Sequence, residues 1–296
     1  MTVEFCGLEL AHPIVNGSGT FDALAARRAF GAALDEQFPF AAYVSKTITL
    51  EPRAGNPPPR LWETPAGLIN SIGLPNKGLA GYLAEDLPEL TSLPVPLITN
   101  VMGSSAAEIA ELVQACDAYA EIAAIELNVS CPNVKTGLDI GADPRHLEQV
   151  VRTVRERTSK PLIVKLTPNA ADVAACAEAA QEGGADAVSL INTLRALALA
   201  PSHGGMLSRE PWLGGRTGGL SGPAIRAVAL AQVAAVVTRV EIPAIGMGGV
   251  SSATHARELL DVGARLVAVG TASFRDPTAG SRIARELDSP PAPVHA

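Results

Sequence analysis

One short stretch of the chain carries residue types that can do chemistry at the end of a buried strand. The segment Ile125-Glu126-Leu127-Asn128-Val129-Ser130-Cys131-Pro132-Asn133 begins as an apolar-rich strand and ends in amide, hydroxyl and thiol side chains. A strand does not need an Asn, a Ser and a Cys in order to end. A strand that delivers side chains to a reaction centre does, so we expect a functional site here.

Cys131 is the candidate for chemistry within this stretch. No His is near it in sequence, so a Cys–His nucleophile would need His203 or another distant partner. A general acid–base role requires only reach and a suitably tuned thiol pKa. The other cysteines, Cys6, Cys116 and Cys176, are predicted to be inert apolar residues. Because the four are dispersed without a CxxC pair, we expect no disulfide framework and no zinc or iron–sulfur site built by this chain alone.

The stretch belongs to a series of β-branched runs that alternate with Ala-rich helical segments. Near-continuous apolar strands separated by helices are typical of a parallel sheet buried on both faces. The eight runs are Pro13–Asn16, Ala42–Lys46, Pro96–Val101, Ala123–Val129, Pro161–Leu166, Ala187–Asn192, Ile242–Gly246 and Arg265–Gly270. Eight such repeats in 296 residues predict an α/β fold of the (β/α)₈ TIM-barrel type.

The positions of the polar residues favour a closed barrel over an open doubly wound sheet. They fall at the carboxyl end of every predicted strand, whereas an open sheet concentrates them at one switch point. These residues are Ser18, Lys46, Asn100, Asn128, Cys131, Lys165, Asn192, Thr193, Gly248, Gly249, Gly270 and Thr271. We therefore expect the active site at the C-terminal face of the strands.

Helix start signals fall between several of the runs. Ser105-Ala106-Ala107-Glu108 has the capping-box spacing, and Asp143-Pro144 predicts an N-cap followed by a first-turn proline. Ser251 or Ser252 is expected to begin another helix. Asn169 is predicted to begin a helix that ends at Gly183-Gly184.

Two glycine-containing segments and two lysines indicate an anionic ligand. Gly248-Gly249 and Gly270-Thr271 follow the seventh and eighth strands, where barrels often bind phosphate with backbone N–H groups. The simpler alternative is that they are ordinary turn glycines. Lys46 and Lys165 end strands two and five; each could instead reach solvent, but two at one barrel mouth favour an anion.

Four asparagines at strand ends or in a strand-end loop suit a planar ligand with alternating carbonyl and N–H groups, because amides both donate and accept. They are Asn70, Asn100, Asn128 and Asn192. Turn formation is the alternative explanation for any Asn. It suits Asn128 and Asn192 poorly, since an apolar strand precedes each.

Bulk properties exclude several classes of protein. The net charge is −7 without a Lys/Arg run, which argues against nucleic-acid binding. The N-terminus lacks the pattern of a signal peptide, and the longest apolar stretch, 227–237, is too short to cross a bilayer, so a cytoplasmic protein is expected. We predict one domain over 1–288 and a disordered tail over 289–296. The long connections 47–94 and 194–220 are expected to form lids and pocket walls.

The quoted motifs together resemble the class 1 dihydroorotate dehydrogenases over nearly the whole chain. Each motif is weak alone, but their order at successive strand ends is very specific. They are Asn16-Gly17-Ser18-Gly19-Thr20-Phe21, Ser45-Lys46-Thr47, Asn70-Ser71-Ile72-Gly73-Leu74, Asn128-Val129-Ser130-Cys131-Pro132-Asn133, Ile191-Asn192-Thr193, Gly218-Gly219-Leu220-Ser221-Gly222-Pro223 and Gly246-Met247-Gly248-Gly249.

This resemblance implies roles for particular residues. FMN would be held by Ser18, Lys46, Thr47, Asn100, Asn128, Lys165, Ile191, Gly222, Gly248, Gly249, Gly270 and Thr271. Dihydroorotate would contact Lys46, Asn70, Ser71, Ile72, Gly73, Leu74, Asn128, Asn192 and Thr193. Cys131 would take a proton from C5 as the C6 hydride passes to the flavin, which places the enzyme in pyrimidine (UMP) biosynthesis. The loop from Ser130 to about Ala142 would close over the substrate.

The resemblance also implies a subclass. Class 2 enzymes have Ser at the base position and an N-terminal extension, whereas Cys131 and Asn133-Val134-Lys135-Thr136-Gly137 look like class 1B. Catalytic subunits of class 1B pair with an iron–sulfur/FAD subunit that passes electrons to NAD. We expect a homodimer, or a heterotetramer with such a subunit. The segments 74–78 and 198–212 differ from the class 1B pattern, which leaves the partner and the electron acceptor open.

These residues are also compatible with other functions. A class 1A enzyme would reduce fumarate instead of NAD. The barrel domain of a dihydropyrimidine dehydrogenase has a similar Asn-x-Ser-Cys-Pro loop, but its uracil substrate would give Lys46 no charge partner. A non-flavin aldolase or isomerase barrel would purify colourless. A non-enzymatic binding protein would leave Cys131, Lys46 and Lys165 without a purpose.

Overall fold

Eight short apolar segments pair side by side into one parallel sheet. The computed structural model describes residues 2–130, 140–200 and 209–289. The strands in these ranges are β1 (Val3–Phe5), β2 (Leu8–Leu10), β3 (Ile14–Asn16), β4 (Tyr43–Val44), β5 (Leu61–Thr64), β6 (Gly67–Asn70), β7 (Leu97–Val101), β8 (Ile122–Asn128), β9 (Leu162–Lys165), β10 (Ala187–Leu190), β11 (Leu194–Ala196), β12 (Gly218–Ser221), β13 (Ala244–Met247) and β14 (Leu266–Val269). The parallel sheet has the order β3-β14-β13-β10-β9-β8-β7-β4.

A buried side chain joins the two strands at the ends of this order, β3 and β4. The Asn16 amide Nδ2 donates to the Val44 carbonyl, and the Val44 N–H donates to Asn16 Oδ1, each at 2.8 Å. The Ala41 N–H also donates to the Ile14 carbonyl at 2.9 Å. These bonds close the sheet into a ring, so the predicted (β/α)₈ barrel is confirmed. Each barrel strand lies on one of the eight predicted runs.

Helices lie between the strands of the barrel. They are α1 (Ala23–Phe30), α2 (Ala32–Glu36), α3 (Gly78–Gly81), α4 (Leu87–Leu90), α5 (Ala106–Asp117), α6 (Pro144–Arg155), α7 (Val173–Glu182), α8 (Arg226–Val237), α9 (Ala253–Asp261) and α10 (Ala279–Asp288). A π-helical turn, Tyr82–Asp86, joins α3 to α4.

The predicted N-caps are confirmed at three helices and wrong at one. Ser105, Asp143 and Ser252 each accept a hydrogen bond from a backbone N–H of the first turn. The fourth helix begins at Val173 instead, because Asp172 accepts from the Ala175 N–H at 3.0 Å. Asn169 therefore does not begin α7.

Apolar side chains close the barrel at its N-terminal end. Phe5 and Leu10, on the hairpin of β1 and β2, are 1% exposed and pack in one cluster with barrel residues such as Ile163 and Leu266. The hairpin was not predicted. Since it covers the end of the barrel from which the strands start, a ligand has access from the opposite end.

A second, antiparallel sheet stands over that opposite end. Its order is β11-β12-β6-β5, and its strands come from the two long connections that follow β4 and β10. Ile69, Ala198 and Leu213 form its apolar core, and the rings of Trp62 and Trp212 meet edge-on at 5.9 Å. The two long connections, which were predicted to form lids and pocket walls, thus contain an ordered sheet. Within the described ranges, no helix is long and apolar enough to cross a membrane.

The closing bond at Asn16 yields a test of barrel stability. Asn16→Ala leaves the buried N–H and C=O groups of Val44 without partners, so the free energy of unfolding should fall by about 2–5 kcal/mol. Urea unfolding followed by circular dichroism measures the change. The control Gln149→Ala removes an exposed amide and should change stability by less than about 0.5 kcal/mol. Equal effects of the two substitutions would contradict the closing role of Asn16.

Candidate functional site

A polar cavity lies between the C-terminal end of the barrel and the antiparallel sheet. Its volume is about 210 Å³. The lining residues come from the ends of β6, β8 and β10, from the connections after β4, β6 and β9, from β11, and from the start of β12 with the segment before it. They are Asn56, Asn70, Ser71, Ile72, Gly73, Leu74, Asn128, Ser130, Asn169, Asn192, Thr193, Arg195, Gly215, Thr217, Gly218 and Gly219. The structure therefore brings together every residue predicted to contact substrate except Lys46, which is exposed and is not among the lining residues.

Hydrogen bonds within and between the two long connections hold the cavity wall. Ser71 Oγ donates to the Thr217 carbonyl at 2.8 Å, and Asn56 Nδ2 donates to Ser71 Oγ at 3.1 Å. Asn70 Nδ2 donates to the Gly219 carbonyl at 3.3 Å. A Cβ on Gly219 would lie 1.9 Å from Thr193 Oγ1, so only glycine lets the chain pass there.

The backbone of this wall adopts a sparsely populated conformation at one end. Gly73 has φ 76° and Leu74 has φ 54°, and a non-glycine residue in the left-handed region is uncommon. The Leu74 carbonyl accepts from Asn76 Nδ2 at 2.9 Å, which helps to hold this geometry. Backbone strain of this kind is often found where a chain is shaped around a ligand.

Asn128 organises the start of the segment that contains Cys131. Its Oδ1 accepts from the Ser130 N–H at 3.2 Å, and its Nδ2 donates to Thr47 Oγ1 at 3.4 Å. Ser130 Oγ donates to the Lys165 carbonyl at 3.1 Å, which ties the segment to β9. Cys131, like the rest of 131–139 in the predicted lid, lies outside the described residues. Its chain neighbour Ser130 lines the cavity.

Lys165 places an ammonium group in the barrel interior. The residue is 6% exposed and pairs in register with Asn128. Among the described residues no carboxylate lies within ion-pair distance of it. A buried cation without a carboxylate beside it is costly, so the presence of Lys165 here favours an anionic or carbonyl-rich ligand. Ser18 and Thr47 lie beside the barrel mouth, with their hydroxyl oxygens 3.3 Å apart.

Glu126 is a buried acid whose part in the site was not predicted. It is 2% exposed, and its Oε2 accepts from Asn100 Nδ2 at 2.5 Å while its Oε1 accepts from Ser189 Oγ at 2.7 Å. Asn100 Oδ1 is buried without a hydrogen-bond partner. The carboxylate thus fixes the amide of Asn100 and leaves one acceptor for a ligand N–H. A signal existed in the sequence, because Glu126 lies two residues before Asn128 and so shares its face of the strand.

The glycines after β12 and β13 come together in one place. Gly222, Gly248 and Gly249 have φ of 87°, 136° and 69°, which side chains rarely adopt. A Cβ on Gly249 would lie 2.8 Å from the Gly222 carbonyl oxygen, and one on Gly222 would lie 3.5 Å from Thr271 Cγ2. Ile191 packs nearby, since a Cβ on Gly248 would lie 3.4 Å from its Cγ1.

Gly270 differs from these glycines because it borders open space. A Cβ added there would meet one atom within 4 Å, Thr20 Cγ2 at 3.6 Å. Thr271 begins a 3₁₀ helix and its hydroxyl donates to Ser221 Oγ at 2.9 Å. An anionic group could therefore approach the backbone at this position closely.

The thiols of Cys6 and Cys116 are poorly suited to chemistry. Burial raises the pKa of the Cys116 thiol to about 12. Burial, with Asp186 and Glu4 nearby, raises the pKa of the Cys6 thiol to about 12 as well. Both therefore stay protonated at neutral pH, in agreement with their prediction as inert residues.

A closed parallel barrel with a polar cavity at the carboxyl ends of its strands is the architecture of the barrel enzymes. Comparison with known families shows to which family of barrel enzymes the chain belongs. The dihydroorotate dehydrogenase family model matches residues 1–290, and this chain belongs to that family.

Curated relatives align with the chain over nearly its full length. The chain is 46% identical over 289 residues to the "Dihydroorotate dehydrogenase B (NAD(+)), catalytic subunit" of Pelobacter propionicus, covering 97% of this chain and 92% of the relative. Proteins of the same name from Geobacter sp. and Desulforudis audaxviator are each 45% identical, over 292 and 293 residues. These alignments cover 97% of this chain and 92% and 91% of the relatives.

The buried acid yields a second test. In flavin-free protein, Glu126→Ala leaves Asn100 Nδ2 and Ser189 Oγ without their acceptor, so the free energy of unfolding should fall by about 2–4 kcal/mol. Glu126→Gln keeps the shape and one acceptor oxygen and should cost less. The control Glu121→Ala removes an exposed acid just before the same strand and should change stability by less than about 0.5 kcal/mol. Urea unfolding measures these changes. A different order of stability among the three variants would contradict the hydrogen-bond network of Glu126.

Proposed function

We propose that this protein oxidises (S)-dihydroorotate to orotate with FMN, as the catalytic subunit of an NAD-linked dihydroorotate dehydrogenase in UMP biosynthesis. The observation that carries the proposal is the cavity, in which eight of the nine residues expected to contact substrate line one space at the barrel mouth. Membership of the dihydroorotate dehydrogenase family supports the reaction class. The relatives named as NAD-linked catalytic subunits support the subclass.

The residues at the barrel mouth fit a flavin. The Asn100 acceptor without a partner and the buried Lys165 ammonium suit an isoalloxazine ring, which has N–H and carbonyl groups and gains negative charge when reduced. The open space beside Gly270 and the glycines after β12 and β13 suit the phosphate. When bound, FMN supplies the acceptor for the substrate hydride. We assign Ser18, Lys46, Thr47, Asn128 and Ile191 to the same group.

The cavity wall fits a cyclic amide substrate. Asn70, Asn128 and Asn192 each offer a donor and an acceptor to the ring N–H and C=O groups of dihydroorotate. Ser71, Ile72, Gly73 and Leu74 shape the wall, and Thr193 borders it. Holding the ring in one orientation aligns its C6–H bond for transfer and its C5–H bond for deprotonation.

Cys131 is proposed as the general base that takes the C5 proton. Cys131→Ala should keep bound flavin and slow its reduction by dihydroorotate by about 10²–10⁴-fold near neutral pH, because the base is lost. Cys131→Ser should recover some activity only at raised pH, since a hydroxyl is a much weaker acid than a thiol. Anaerobic stopped-flow spectroscopy of flavin bleaching measures both.

Cys6→Ala is the matched control for that test. Cys6 lies beside the hairpin at the N-terminal end of the barrel, where its thiol donates to the Asp186 carbonyl at 3.5 Å. Its substitution should leave the rate of flavin reduction unchanged. If Cys131→Ala reduced flavin as fast as the parent protein, Cys131 would not be the base.

An anaerobic titration tests the proposed reaction itself. Purified protein should carry flavin absorbance that dihydroorotate bleaches in a one-to-one ratio, with orotate as the product. A protein whose flavin responds to dithionite but not to dihydroorotate would contradict the proposal. Dihydrouracil, which lacks the carboxylate, separates this enzyme from a dihydropyrimidine dehydrogenase-like barrel.

The electron acceptor is proposed to be NAD, reached through an iron–sulfur/FAD subunit. The sequence has no CxxC pair with which to build an iron–sulfur centre of its own. The assembly would be a homodimer of this chain joined by two such subunits. Co-purification from the native cell, followed by assays with NAD and with fumarate, tests this. Rapid fumarate reduction by the isolated chain would indicate the class 1A activity instead.

A further inference from the structure

The buried carboxylate of Glu126 has no part in the reaction steps proposed above. The residue lies on β8 and is 2% exposed. Its two oxygens accept hydrogen bonds from Asn100 Nδ2 at 2.5 Å and from Ser189 Oγ at 2.7 Å. Both partners are neutral, so neither of them offsets the negative charge. Since burying a charge is costly, a functional role explains this acid better than a contribution to stability.

No ion pair balances the charge of Glu126. Within 2–130, 140–200 and 209–289, no cationic side chain lies within ion-pair distance of it. Lys165 lies on the neighbouring strand β9, but it pairs in register with Asn128, two residues further along β8 than Glu126. Two residues of a strand span about 7 Å. The ammonium group therefore belongs to the next layer toward the barrel mouth.

Glu126 and Lys165 nevertheless share the inner face of the barrel. Ala124 and Ile163 lie two residues before them on β8 and β9, and both belong to the apolar cluster that joins the inner sides of the barrel strands. Side chains two residues apart on a strand point to the same side. The carboxylate thus lies in the layer directly below Asn128 and Lys165, which are both assigned to the flavin.

Asn100 connects the carboxylate to the ligand position. Its Nδ2 donates to Glu126, and its Oδ1 is buried without a hydrogen-bond partner. The opposite orientation of the amide would set Oδ1 against a carboxylate oxygen, two acceptors with no hydrogen between them. A hydrogen bond to an anion also polarises the amide and makes its oxygen a stronger acceptor. Glu126 therefore affects a ligand at Asn100 through this bond as well as through its charge.

Reduction of a flavin adds negative charge to its ring, so nearby charges change its reduction potential. A cation favours the reduced form and an anion opposes it. Charges inside a protein are screened far less than charges in water. Because no ion pair cancels its charge, the carboxylate of Glu126 opposes reduction of a flavin bound in the layers above it.

We propose that Glu126 lowers the reduction potential of the flavin bound at the barrel mouth, through Asn100 and through its own negative charge. The proposal rests on the proposed function, because that function supplies the flavin. Glu126 is a positioning residue under this proposal and touches neither the substrate nor the reacting atoms. A low potential suits an enzyme whose electrons pass on to NAD, since NAD is a weak oxidant.

The midpoint potential of the flavin-loaded protein tests the proposal. It is measured by slow reduction with xanthine and xanthine oxidase in the presence of a reference dye. In Glu126→Gln the new amide can accept from Asn100 and donate to Ser189, so the charge is lost while the hydrogen bonds are kept. At the potential where half of the parent flavin is reduced, the ratio of reduced to oxidised flavin in this variant should be about tenfold higher. A tenfold change corresponds to about 30 mV for a two-electron couple.

A second variant and two controls accompany this measurement. Glu126→Met also removes the charge and should shift the potential in the same direction, which covers the case in which Glu126→Gln fails to fold. Glu121→Gln removes an exposed acid just before β8 and should change the ratio by less than about twofold. Ser189→Ala removes one donor but keeps the charge, so it should not raise the potential.

The outcomes separate this inference from the proposed function. A parent protein whose flavin is not reduced by dihydroorotate would overturn the proposed function, while the dye measurement would still report on Glu126. Charge-free variants at position 126 that keep the midpoint of the parent would overturn the role of Glu126 alone. Variants that lose flavin content and thermal stability without a higher potential would show a merely structural role and would also overturn it. An equal rise in Glu121→Gln would show a general charge effect, with the same consequence.

Discussion

The site depends on the closure of the parallel sheet into a ring. All eight strands run in one direction, so closure collects their carboxyl ends at a single mouth. The bond that completes the ring is made partly by a side chain, since the Asn16 amide replaces the backbone on one side of the β3–β4 junction. Every polar residue discussed at the barrel mouth owes its position to this geometry.

The barrel could be predicted from sequence because its signal is local and repeated. Each strand is a short run of buried branched residues, and each run ends in a polar residue or glycine at the same face. The (β/α)₈ fold and the order of its strands follow from that repetition alone. The grouping of Asn128 and Asn192 around one cavity follows from the fold once the strand ends are known.

The antiparallel sheet could not be predicted in the same way. Its strands are three or four residues long, and β12 contains two glycines. The pairing of Gly219 with Asn70 joins residues that are far apart in the chain, which no local pattern reveals. Asn169 shows the related error. It was predicted to begin a helix, while its amide in fact bonds to Thr193 and Arg195.

The pairing of β3 with β14 also has a consequence for the order of events during synthesis. The first strand of the barrel must wait for one of the last segments of the chain before it gains its second neighbour. In the same way, β6 has no partner on one side until β12 has been made. A nascent chain that has been synthesised only as far as α8 would therefore contain both Asn70 and Asn128 but only part of the barrel. Such contacts between distant segments slow folding, because the intervening chain must be ordered before they form. A binding site of this design is assembled by the complete chain, and shortened translation products would lack it.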